Sequence, residues 1–393
     1  MSKIKVNSLE GVGASTPAIS IDNSSGTCTA NITNNLSNRN KVINGSMIVD
    51  QRNSGSASTA IANNYCVDRF RIQSSGQDQL AASIQQIQSE TDAPAGSGLT
   101  HHLKWTTTTP ETSIDNDEII RFQYHIEGGD LQDFCYGTSS AKTVTVSFYV
   151  KTSVTGVYGF SIYRDESTDR IINRTYTVSN TDWNRYTFTI AGDTASKITS
   201  DTASRWRMIF TLAAGSNYTG SSHATWGNYS GAYFAGGHAQ NGVCTTNSAT
   251  WQLTGVQLEV GSVATDFEHL SFADELRRCM RYFYKVTKDG TDSEVTNMPI
   301  GTGVYYTASD FRCILNHPVE MRAAPTLTSN DNSASYFIHF NSSHDSIDRL
   351  DSFHNTKKRS MVRNTAHASG TQGYPGLLHQ EDSNSSLTFS AEL

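Results

Sequence analysis

The stretch Trp251-Gln252-Leu253-Thr254-Gly255-Val256-Gln257-Leu258-Glu259-Val260-Gly261-Ser262-Val263-Ala264-Thr265-Asp266-Phe267-Glu268 carries two apolar registers of period 2. Trp251 and Leu253 hold one, and Val256, Leu258 and Val260 hold the other. Thr254-Gly255 lies between them, as in a strand that bulges at its glycine. Such a strand, with a glycine exit turn after it, closes an antiparallel sandwich. In that setting Glu259 reads as a structural acceptor rather than an acid catalyst.

The residues upstream supply partners for it. Strand patterns are read at 65–73, 81–88, 99–107, 118–126, 143–151, 157–164, 171–178, 183–190 and 205–212, and Val42 to Arg52 reads as a strand interrupted at Asn44-Gly45. The clearest is Val144, Val146, Phe148 and Val150 alternating with Thr145, Ser147, Tyr149 and Lys151, one apolar face and one polar. Trp105, Trp183, Trp206 and Trp251 fall in or beside strand patterns and are expected in the core. The expected fold is therefore all-β: an antiparallel jelly-roll-like β-sandwich over residues 41–268, preceded by an extended arm at 1–40. A short linker helix at 269–284 follows, and then a small C-terminal β domain at 285–393.

The helix is expected from Ser271 to Phe283, with Ser271 as its cap, Asp274 three residues on, and Phe272, Leu276, Cys279 or Met280, and Phe283 on one stripe. In the last segment, strands are read around 302–306, 312–316, 335–340 and 387–391, with long polar loops from 341 to 380. Its apolar residues are few for its length, which suits a unit completed by neighbouring chains. In the arm, Ile19 and Ile21 alternate with polar residues, as in short strands added to another surface or packed against copies of themselves.

Composition narrows function. Of 393 residues 36% are hydrophobic and 17% charged, so Ser, Thr, Asn and Gly carry the polarity. The net charge of -7 and pI near 5.9 exclude nucleic acid as the main partner, because phosphate binding needs clustered Lys and Arg. Cys28, Cys66, Cys135, Cys244, Cys279 and Cys313 stand singly, without zinc spacing, and read as buried apolar residues in a reducing cytoplasm. No run is long and apolar enough for membrane insertion, and the first residues lack a signal-peptide core, so the chain is expected to be made in the cytosol and to be soluble. No cofactor and no metal ligand set is expected.

Catalytic motifs are missing from the sequence, so the chain is not expected to be an enzyme. The acidic runs Asp115-Asn116-Asp117-Glu118 and Asp165-Glu166 fit half of a glycosidase pair or a calcium-holding turn, yet turns favour Asp and Asn for backbone reasons alone. His101-His102 are neighbours on a strand and point to opposite faces, which does not suit a shared metal. Aromatic residues point further. Trp226, Tyr229 and Tyr233 lie within 215–242, dense in Gly, Ser, Asn and His, and exposed rings beside amides hold a sugar by stacking and hydrogen bonding. The same rings also suit a loop that packs down on a sandwich.

Several runs together resemble a group of bacteriophage tail-fibre and minor virion structural proteins: Asn38 to Met47, Gln51-Arg52 with Tyr65-Cys66-Val67-Asp68-Arg69-Phe70, Gln257-Leu258-Glu259-Val260-Gly261 with Ala264-Thr265-Asp266-Phe267-Glu268, Glu275 to Phe283, Met321-Arg322-Ala323-Ala324-Pro325-Thr326, and Phe389-Ser390-Ala391-Glu392-Leu393. The resemblance covers about residues 38–393. It implies a carbohydrate-binding-module-like jelly roll in a virion fibre, a homotrimer, with residues 1–40 docked on a phage tail or adaptor protein and distal loops on host surface polysaccharide. It brings no catalytic residues. The alternatives it leaves are a polysaccharide-degrading tailspike and a purely architectural fibre or capsid decoration.

Overall fold

The computed structural model describes residues 8–9, 19–21, 24, 28–30, 38–220, 222–287, 297–330, 335–381 and 385–393. In the arm, β1 (Ser8–Leu9), β2 (Ile19–Ile21) and β3 (Cys28–Ala30) pair antiparallel in one small sheet. Residues 1–7, 10–18, 22–23, 25–27 and 31–37 of the expected docking arm lie outside the described residues.

Residues 64–260 form an antiparallel jelly-roll-like sandwich. Its strands are β4 (Asn64–Val67), β5 (Phe70–Ser75), β6 (Ala81–Gln88), β7 (His101–Thr109), β8 (Ile119–Glu127), β9 (Val144–Thr152), β10 (Gly156–Arg164), β11 (Arg170–Val178), β12 (Asn184–Ile190), β13 (Ser204–Ala214), β14 (Gly227–Asn228) and β15 (Thr250–Val260). One sheet runs β14-β11-β10-β13-β8-β5-β4 and the other β12-β9-β15-β7-β6. Alternating residues of both sheets meet in one core, where Trp105, Trp206 and Trp251 are fully buried. Phe122 stacks on Trp251 at 5.5 Å, and Phe148 meets Phe210 edge-on at 5.0 Å. Trp183, expected in the core, is instead half-buried just before β12, where its indole donates to Asp92 Oδ1 at 3.1 Å.

β15 carries its bulge where the sequence puts it. Its pairing with β9 slips between Thr254 and Gln257, and Gly255 sits at φ +62°. Glu259 accepts from Gln257 Nε2, Thr265 N and Thr265 Oγ1, closing the exit turn as a structural acceptor.

Two segments differ from expectation. The single strand read at 65–73 is a hairpin, because Asp68-Arg69 turns the chain, with Arg69 at φ +74°. Residues 42–52 form turns and not a strand. Asn40 Oδ1 accepts from Val42 N and Leu258 N, while Asn44 ties Val49 N, Val49 O and Asp68 O, so side-chain amides take the place of a ladder.

The helix α1 (Phe272–Met280) is shorter than read. Ser271 Oγ accepts from Asp274 N as the cap. Cys279 is buried as expected, but Phe272 is 53% exposed and Glu275 is buried, its carboxylate accepting from Asn44 N at 2.6 Å. The helix stops because Tyr282 and Phe283 are drawn into the next unit, where β16 (Phe283–Lys285) pairs with the last strand.

That unit holds two sheets. β17 (Pro299–Thr307), β18 (Asp310–Asn316), β19 (Thr326–Ser329), β20 (Tyr336–Phe340), β21 (Ser343–Ile347), β22 (Asp351–Asn355), β23 (Arg359–Asn364), β24 (Pro375–Gln380) and β25 (Leu387–Ser390) are arranged as β16-β25-β19 and β21-β20-β24-β17-β18-β23-β22. A second core centres on Tyr305, Phe311, Met321, Tyr336 and Phe389. Most of the stretch read as loop, 341–380, is thus strand.

Candidate functional site

The segment 215–242, where the three aromatic candidates lie, folds over the outer face of the seven-stranded sheet. Phe234 and Ala235 join Ile119, Tyr163, Ile209 and Ala214 in a small cluster of their own. Tyr229 packs into it, 4.8 Å edge-on to Tyr163 and 5.7 Å from Phe234. Tyr233 meets His223 at 4.5 Å, and its carbonyl accepts from Asn173 Nδ2. Both tyrosines are half-buried.

Trp226 goes elsewhere. It sits at the margin of the main core, edge-on to Tyr136 and Trp206 at 6.0 and 5.7 Å, with the Arg164 guanidinium 5.5 Å from its ring. Its indole N–H donates to Ala191 O at 2.9 Å. The ring is half-buried, and it lines an open cleft of about 380 Å³ together with Arg170, Ile172, Arg174, Thr189 and Asp193. Neither tyrosine lines this cleft, so the structure separates Trp226 from the two residues the sequence grouped with it.

The cleft lies where the two sheets part. β11 lies at one end of its sheet, beside only the two-residue β14, and β12 is the edge of the other. Farther along the same strands the sandwich is shut by Tyr176 against Tyr186, 4.7 Å apart. On β11, residues 170, 172, 174 and 176 share one register; Ile172 and Tyr176 belong to the core, and the two arginines occupy core-facing positions where the sheets have opened. Cations in an inward register were the readable sign of this opening, and sequence reasoning missed them.

Electrostatics fix most of the lining. Asp193 is buried and takes Arg164 Nη1 at 2.6 Å and Arg170 Nε at 3.0 Å, as well as Ala195 N. Arg164 is itself fully buried, and burial pulls its pKa below the ordinary guanidinium value against the opposing pull of Asp193. Arg170 also donates to Asn228 Oδ1 and Trp226 O. Such a fixed, polar-walled cleft with one aromatic edge suits a neutral or anionic hydroxylated ligand, and its volume is within the usual range for small-molecule sites.

The other sequence candidates hold local structure. Asp115 N donates to Glu118 Oε2 within a turn, Asp165 pairs with Arg207 at 2.8 Å, and Glu166 accepts from Thr199 N and Oγ1. His102 is buried edge-on to Trp183, and burial pushes its pKa down to about 4; His101 is half-buried and bonds Thr100. Among the described residues no group of three or more His, Cys, Asp or Glu is placed to hold a metal ion, and no helix is long and apolar enough to cross a membrane. Cys66, Cys244, Cys279 and Cys313 are buried free thiols.

No family model matches this sequence, and no curated protein matches it. Among solved structures, the chain is similar to the family 11 carbohydrate-binding module of the cellulosomal cellulase Lic26A-Cel5E of Clostridium thermocellum, at 12% identity over 55% of this chain and 99% of that one, with a TM-score of 0.27. It is similar to the CBM22-1 xylan-binding domain of Paenibacillus barcinonensis Xyn10C at 12% identity, 53% and 97% coverage and a TM-score of 0.25. A third likeness is to TmCBM61 in complex with β-1,4-galactotriose, at 10% identity, 57% and 99% coverage and a TM-score of 0.26.

Proposed function

We propose that this chain is a non-catalytic glycan-binding protein that serves as the fibre of a phage virion, docked through residues 1–40 and binding host surface polysaccharide. The observation that carries the glycan part is the cleft at the β11–β12 edge, which Trp226, held by its indole N–H on Ala191 O, lines together with threonines, Arg170, Arg174 and Asp193. An apolar C–H face of a sugar stacks on such a ring while its hydroxyls bond the polar wall.

Among the residues lining this cleft, Asp193 is the sole carboxylate, and it is paired with two arginines. Glycoside hydrolysis needs two carboxyl groups across the bond to be cut. This favours binding over cleavage. The virion part is supported by the sequence resemblance. Several single sites on a trimeric fibre would act together through effective concentration.

The test is binding of purified protein to host cells and to polysaccharide extracted from them, with Trp226→Phe, Trp226→Ala, Tyr229→Ala and Tyr233→Ala compared. Saturable binding is expected, weakened at least about tenfold by Trp226→Ala and less by Trp226→Phe, a tenfold loss being about 1.4 kcal/mol. A tyrosine variant that loses more than Trp226→Ala would move the site to the outer face. Released oligosaccharide would identify a depolymerase, and no binding at all would leave an architectural fibre.

A further inference from the structure

Arg174 stands apart from the other charged residues of the cleft. It is half-buried on β11, and Nη1 donates to Asn173 O and Ala224 O. Among the described residues no carboxylate stands within salt-bridge distance of it. Burial lowers its pKa from the ordinary guanidinium value.

Its position is equally particular. Arg174 lines the 380 Å³ cleft beside Trp226 and also a second open cleft of about 410 Å³, formed with Asn173, Thr175, Ser222 and Gly236. Ala224 lines both as well, so the two clefts adjoin along β11 with this guanidinium between them. Arg170 and Arg174 line the first cleft together with the single carboxylate Asp193, which Arg170 already shares with the buried Arg164. Glu166, which also acts on Arg164, is turned to Thr199. The site therefore has surplus positive charge on a chain whose net charge is -7.

A half-buried cation without an internal counter-ion is available to take an anion from outside the chain. The Nε and Nη2 donors of Arg174 have the fork geometry that matches a carboxylate. We propose that the glycan bound at the β11–β12 edge is acidic, a uronic-acid-containing chain whose sugar ring stacks on Trp226 and whose carboxylate is taken by Arg174. This rests on the glycan reading above and names the class of glycan. The second cleft then receives the next residue of the same chain, so the preferred ligand is at least two sugars long.

The test compares a polyuronate with its carboxyl-reduced, neutral counterpart by calorimetry on the full chain. The acidic polymer is expected to bind at least about tenfold more tightly, with the advantage shrinking as salt rises. Arg174→Gln is expected to abolish the advantage, and Arg174→Lys, which keeps the charge but loses the fork, to restore part of it. Circular dichroism of both variants confirms folding. Equal binding of the two polymers, or an advantage that survives Arg174→Gln, would overturn the acidic inference while leaving glycan binding in place. Failure of both polymers to bind, together with failure of extracted host polysaccharide, would remove the glycan reading itself.

Discussion

Arg69 ties together parts of the chain that are far apart in sequence. It turns the β4–β5 hairpin at φ +74°, is 1% exposed, and lies with its guanidinium 3.5 Å from the Tyr282 ring centroid. It pairs with Glu392 through Nη1 and donates to His125 O through Nη2. Beside it, Arg52 bridges Asp68 at 3.1 Å and Glu392 at 3.0 Å over the Phe283 ring. Glu392 is thus the shared counter-ion of two arginines from the other end of the chain. Removing its charge leaves the buried Arg69 guanidinium without a counter-ion, which costs about 3 to 5 kcal/mol. Glu392→Gln, nearly isosteric, is expected to lower the urea midpoint accordingly with little change in slope. A loss under about 1 kcal/mol would mean that water reaches Arg69 and that the junction is not a sealed one.

β15 shows at the level of an element why some of this fold can be read from sequence. Its two apolar registers are broken at one glycine, and a Cβ there would lie 2.8 Å from Leu99 Cδ1 and from Tyr149 Cδ2. Gly255→Ala combines left-handed strain with overpacking and is expected to cost about 3 kcal/mol. Gly96→Ala, at φ +71° with nothing within 4 Å, is expected to cost about 1 kcal/mol from the backbone alone. Thermal melts of the two variants check this, and equal losses would show that Leu99 and Tyr149 yield freely. The sandwich strands were legible because Val, Ile and Phe alternate with polar residues. β23 was not, since its buried positions are Ser360, Val362 and Asn364. There the inward polar groups are bonded in place: Ser360 with His317, and Asn364 with Arg349 O, His367 N and Ala368 N. Periodicity of hydropathy carries no trace of such a strand. The cleft was half legible for a related reason: Trp226 could be named from its Gly- and Ser-rich surroundings, but Arg170 and Arg174 become a site only where two edge strands part.

At the scale of the whole molecule, the motifs that marked the sequence converge on the junction between the two cores and not on the cleft. Gln51, Arg52, Asp68, Arg69, Tyr282, Phe283 and Glu392 meet there, and Arg322 ties Thr202 O to Ala391 O and Glu392 O. These motifs hold the units together, so recognition is left to the edges and faces. One face stands out. Of nine exposed large apolar side chains among the described residues, five belong to the last unit: Val304, Tyr306, Ile314, Tyr374 and Leu377. Register places His344, His339, Leu377 and Thr302 in one row across β21, β20, β24 and β17, and sets Ile314 of β18 opposite Met361 of β23. Apolar surface concentrated on one sheet face favours association. The proposed homotrimer would bury it around a closed three-fold axis, where the same face of each copy meets its neighbours. Light scattering of the purified chain at micromolar concentration is therefore expected to give the mass of three copies. Ile314→Lys combined with Leu377→Lys, both at exposed positions that cost the fold little, is expected to give one. A wild-type chain that stays monomeric at that concentration would rule the trimer out, and with it the multivalency that makes weak glycan sites effective on a fibre.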